Sequence, residues 1–116
     1  GLSFLCTRMT FTQCGSGGGG VEVWNTKGRL LNCVITQCED SGIYCYDNAL
    51  VELGGSETKV EGNVTRGYGY YYGLHTSDES SRIHLLFPLT KESVSTNNGG
   101  GGNSGGAGTI ETVESF

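Results

Sequence analysis

Proline occurs once in this chain, at position 88, and the 21 glycines never fall into a Gly-x-y period, so a collagen-like triple helix is excluded. Basic charge is also scarce: seven Lys and Arg stand against twelve Asp and Glu, giving a net charge of −5. Seven scattered cations cannot form the electrostatic funnel that a phosphate backbone or an anionic leaflet requires, so no nucleic-acid or membrane partner is expected. No apolar run approaches the ~18–20 residues that span a bilayer. No window holds a 3.6-residue apolar period, and glycine interrupts nearly every candidate, which argues against helices. What remains is short alternating apolar runs in 116 residues, enough for one all-β domain. The chain opens at Gly1 in a strand-like run, without Met or a signal-type core, as expected of a fragment or a processed chain.

Cys6, Cys14, Cys33, Cys38 and Cys45 are an odd set, so at least one thiol lies outside any intrachain pairing. Their spacing matches no zinc signature, and the only histidines are His75 and His84. The cysteines read best as small buried apolar residues, with no metal and no cofactor expected. Asn63-Val64-Thr65 is formally a glycosylation sequon, but Val64 and Thr65 read more simply as the continuation of a strand.

The alternating runs repeat. Gly20-Val21-Glu22-Val23, Gly42-Ile43-Tyr44-Cys45 and Gly73-Leu74-His75-Thr76 share a glycine, an inward apolar position and an outward one. Before each stands a second signature: Thr10-Phe11-Thr12-Gln13-Cys14, Val34-Ile35-Thr36-Gln37-Cys38 and Asn63-Val64-Thr65-Arg66-Gly67, with a loose fourth copy from Leu89. Repeats of this length fit one turn of a solenoid, in which stacking sets equivalent residues about 4.8 Å apart and buries what a single turn cannot. Cys14 would then lie by Cys38 and Phe11 by Ile35, while Tyr68 to Tyr72 would bulge from a corner as an insertion. The segment from Leu31 to Cys45 resembles the right-handed parallel β-helix repeat of the pectate-lyase-like superfamily, and the likeness extends over about residues 5–98. It implies a single-stranded right-handed parallel β-helix of about four short turns within one domain, 1–116. That superfamily holds polysaccharide lyases, hydrolases and epimerases beside noncatalytic modules, and no catalytic residue carries over. A small antiparallel sandwich is the alternative; it would place Val21, Ile43 and Leu74 on unrelated strands.

Residues 97–108, almost all Gly, Asn and Ser, offer nothing for a core and read as a flexible linker or loop. Thr109 to Glu114 alternates again as a strand. A short solenoid exposes unpaired edges at both ends, so a homodimer is expected.

If Val21, Ile43 and Leu74 point inward, then Glu22, Tyr44 and His75 form one outward row, and Trp24, Tyr46 and Ser77 form the next. Glu22, Trp24, Tyr44, Tyr46 and His75 are therefore the candidate ligand-binding residues. Aromatic platforms flanked by a carboxylate and an imidazole suit a carbohydrate. The reading favours a noncatalytic binding or assembly module with a carbohydrate ligand. The alternative is a polysaccharide-active hydrolase or lyase that pairs Glu22 with Glu39, Asp40 or Asp47, which as turn residues are expected to be solvated. Cys45 faces inward and His75 outward, which separates them as a catalytic pair, and His84 reads as an exposed sheet residue.

Overall fold

The structure, a computed structural model, describes residues 1–15 and 19–116. Among the described residues thirteen strands follow in order: β1 (Phe4–Thr7), β2 (Thr10–Thr12), β3 (Gly19–Trp24), β4 (Lys27–Leu31), β5 (Val34–Thr36), β6 (Ser41–Tyr46), β7 (Leu50–Gly54), β8 (Lys59–Glu61), β9 (Leu74–Thr76), β10 (Arg82–Leu86), β11 (Ser95–Thr96), β12 (Ser104–Gly106) and β13 (Thr109–Val113). Every third strand pairs in parallel. The first sheet is β1-β4-β7-β10-β13, the second β2-β5-β8-β11 and the third β3-β6-β9-β12. Three strands make one coil, so the chain completes four coils and starts a fifth. It is a right-handed parallel β-helix.

The register follows the repeat in the third sheet, where Val21 pairs with Ile43 and Ile43 with Leu74. Their side chains meet an interior built by Leu30, Ile35, Leu53, Val60, Ile83 and Leu85, all buried. Each such side chain removed from water stabilises the fold by roughly 1.5–3 kcal/mol. In the second sheet the first two copies align as expected, Phe11 on Ile35. The third does not: Ile35 pairs with Val60, so the copy is Lys59-Val60-Glu61-Gly62-Asn63, and the fourth is centred on Ser95 rather than starting at Leu89. Leu89 instead precedes the single turn of helix α1 (Lys91–Val94), capped by reciprocal bonds between Thr90 and Ser93. Val64 and Thr65 are accordingly in a turn and not a strand, with Val64 at φ 57°, and the sequon's Asn63 is buried.

What the second-sheet repeat conserves is a corner. Gln13, Gln37, Gly62 and Asn97 occupy successive coils at φ 55°, 60°, 69° and 54°, a left-handed column that turns the chain from the second sheet into the third. The next residue points inward and forms a ladder of Cys14, Cys38, Asn63 and Asn98. The thiols of Cys14 and Cys38 reach the carbonyls of Thr12 and Thr36 at 3.9 and 3.7 Å. The asparagines bridge backward: Cys38 N–H donates to Asn63 Oδ1 (3.1 Å) while Asn63 Nδ2 donates to the Ile35 carbonyl (3.0 Å). Asn98 repeats both bonds one coil later, accepting from Asn63 N–H (2.9 Å) and donating to the Val60 carbonyl (3.1 Å). All five cysteines are free thiols, and burial pushes Cys45 up to about 12.

The glycine-rich stretch is ordered, contrary to the expectation of a linker. Ser104–Gly106 is the fourth strand of the third sheet, paired with Leu74–Thr76. Its glycines answer to crowding: a Cβ on Gly105 would enter the Tyr72 ring, and one on Gly106, at φ 114°, would strike the Thr76 carbonyl. The backbone can approach the preceding coil this closely only without side chains. Among the described residues no helix is long and apolar enough to cross a membrane.

Candidate functional site

Strand alternation turns Glu22, Tyr44 and His75 to one outer row of the third sheet, and Trp24 and Tyr46 to the next, as the repeat requires. Trp24 and Tyr46 stack with ring centres 6.3 Å apart and planes 16° from parallel. Tyr44 meets Tyr46 edge-on at 5.5 Å. Two hydroxyl bonds fix the row: Tyr46 donates to Glu22 Oε1 and Tyr44 to Ser77 Oγ, both at 3.2 Å. Burial first, then the bonded Glu22 carboxylate, and then the nearby Tyr44 and Asp47 raise the pKa of the Tyr46 phenol. Trp24, 57% exposed, is the open end of this row.

The insertion from Val64 to Gly73 extends the face. Arg66 anchors it by clamping the buried Asp40 carboxylate through both oxygens (2.7 and 2.6 Å from Nη2), with Glu39 at 3.8 Å. Asp40 is thus not the solvated turn residue expected from the sequence. The guanidinium also lies 4.8 Å over the Tyr68 ring. From there the rings run on: Tyr68 against Tyr70 at 5.6 Å, Tyr70 against Tyr71 at 4.8 Å, Tyr71 against Tyr44 at 6.1 Å. The insertion and the outer rows are therefore one aromatic band from Trp24 to Tyr68. The repeat could not reveal this, because an insertion has no counterpart in other coils; the Tyr68, Tyr70, Tyr72 alternation was the available signal.

The same insertion covers His75. Tyr44, Tyr71 and Tyr72 contact its ring at 4.7, 5.9 and 5.2 Å, leaving it 8% exposed. Its Nδ1 faces Ser41 Oγ at 3.2 Å. His75 holds the register the sequence requires but lies beneath the band. Its burial lowers its pKa below the usual value of about 6.5. The unfolded chain then takes up the proton more readily than the folded one. Stability contributed by neutral His75 is complete above about pH 6.5 and falls as pH drops from there to the folded pKa. The gap in urea midpoint between wild type and His75→Gln should therefore shrink between about pH 7.5 and pH 5. A constant gap would show that His75 does not titrate differently on folding.

Elsewhere, His84 is half-buried on the outer face of the first sheet, 3.5 Å from Glu111, in a row with Arg29 and the buried Glu52, which are themselves bonded at 2.9 Å. Among the described residues no three His, Cys, Asp or Glu side chains cluster so as to hold a metal ion. No family model, curated protein or solved structure matches this chain.

Proposed function

We propose that the chain is a noncatalytic binding module whose third-sheet face holds a neutral carbohydrate. The observation that carries this reading is the exposed aromatic row ending in Trp24, with Glu22 beside it as a hydrogen-bonding group. Sugar rings stack on such platforms through their apolar faces, and hydroxyls bond to the carboxylate. The preference for a neutral sugar rests on charge: Glu22 is a carboxylate, and Arg66 is committed to Asp40, so a uronate would meet repulsion without compensation. Glu39 and Asp40 turn to Arg66, which removes two of the three acids that could have partnered Glu22 in hydrolysis.

Trp24 is the only tryptophan, so its emission reports on this face directly. A glycan array followed by titration with a neutral β-linked hexasaccharide and with oligogalacturonate should give binding to the former. Trp24→Ala and Tyr46→Ala, measured by calorimetry, should each weaken it about tenfold. Preference for the uronate, or affinity indifferent to both substitutions, would overturn the reading. Turnover of the bound sugar that Glu22→Gln abolishes would replace it with an enzyme.

A homodimer is the second part of the proposal. Support comes from the first coil, where Leu5 is 56% exposed and Phe4, Phe11 and Val21 are only half-buried beside unpaired strand edges. Light scattering at roughly tens of micromolar should give twice the 12.3 kDa chain mass; a monodisperse monomer refutes it.

A further inference from the structure

The corner between the first and second sheets widens along the solenoid. Three positions carry the chain from Thr7 to Thr10 and from Leu31 to Val34, but five lead from Gly54 to Lys59 and eight from Leu86 to Val94. Residues added to one coil of a solenoid loop out at that coil's corner, and such insertions commonly build a binding face. Here the two lengthened corners are neighbours, and between them lies a cleft of about 490 Å³. That volume is within the range of small-ligand sites.

The walls of this cleft are chemically one-sided. Leu86, Phe87, Pro88 and Leu89 form a mostly apolar wall, with Phe87 67% exposed. The Thr58 hydroxyl is committed to the Gly54 carbonyl (2.7 Å), and that of Ser93 to the Thr90 carbonyl (3.0 Å). Lys59 is the only charged group lining the cleft, and it makes no ion pair among the described residues. In a chain with twelve acidic side chains, none lines this cleft; Glu61, two residues on, lines a separate polar groove with Thr36 and Gln37.

We propose that this cleft binds a small apolar carboxylate, its ring or chain on the wall of Leu86 to Leu89 and its anion on the Lys59 ammonium. A cation beside an apolar wall with no acid among its lining residues complements that ligand and disfavours a cationic or strongly hydrophilic one. The site is formed by a different corner from the aromatic band and stands independently of the carbohydrate reading.

The test uses 3-phenylpropionate and its uncharged amide as probes, followed through the backbone amide signals of Gly55 and Ser56. With about 11 heavy atoms the carboxylate should bind saturably at low-millimolar Kd. The amide should bind about tenfold more weakly, because it lacks the charge-assisted bond. Lys59→Gln should bring the carboxylate to the level of the amide, and Phe87→Ala should weaken both. Equal affinity for the two probes, indifference to Lys59→Gln, or no saturation by about 10 mM would each overturn the proposal.

Discussion

Asn63→Ala should destabilise the protein by about 3 kcal/mol, a large share of the ~5–15 kcal/mol typical of a domain. The side chain is fully buried, and truncation leaves the Cys38 N–H without its acceptor and takes the side-chain donor from the Ile35 carbonyl. Each buried polar group left without a partner costs roughly 1–3 kcal/mol. The cavity adds to this, since coils 2 and 4 are fixed on either side and cannot close over it. Asn98 makes the same pair of bonds one coil later but is only half-buried. Water can replace its amide, so Asn98→Ala should cost about 1 kcal/mol. Urea unfolding of the two variants checks the difference. If the two cost the same, or if Asn63→Ala costs under about 1 kcal/mol, the ladder does not stabilise the corner as its hydrogen bonds imply.

The ladder also explains why the second-sheet repeat was harder to read than that of the third. Cys14 and Cys38 are alike as letters, whereas in the third coil the threonine of Asn63-Val64-Thr65 mimics the repeat more closely than Lys59-Val60-Glu61 does. The position itself passes from thiol to amide at Asn63: what persists is an inward side chain after a left-handed corner, not a residue type. The third-sheet signature was legible because its requirement in the first three coils is steric and is met by glycine, while the fourth coil carries Asn103 there. The stretch 97–108 misled for a related reason. Composition says that its residues bring nothing to a core, but not that they lie against side chains and carbonyls supplied by Tyr72 and Thr76. At the candidate site, alternation was enough to set Glu22, Trp24, Tyr44 and Tyr46 on one outer face. The fate of His75 depended on where a nonrepeating insertion folds, and a periodic argument carries no information about that.

The glycine requirement leads to the second large effect. A Cβ on Gly20 would point at Cys38 Sγ (2.7 Å), one on Gly42 at Asn63 Nδ2 (2.9 Å), and one on Gly73 at the Asn98 amide. In each of the first three coils, then, the glycine leaves room for the ladder side chain of the coil that follows. Gly42 sits in the middle of this arrangement, where its Cβ would also meet Val60 Cγ1 at 2.5 Å and the Gly73 carbonyl at 2.9 Å. Gly42→Ala should therefore cost about 2–3 kcal/mol by overpacking, even though a strand ordinarily tolerates Ala better than Gly. Because part of that clash is with Asn63 itself, the two substitutions should not add. The Gly42→Ala, Asn63→Ala double variant should lose at least about 1 kcal/mol less than the sum of the single losses, the new methyl group occupying space the amide has left. Full coupling is not expected, since Val60 and the Gly73 carbonyl remain. Strict additivity in this cycle would mean that the glycine column and the ladder are held by separate constraints, and the repeat would need another explanation.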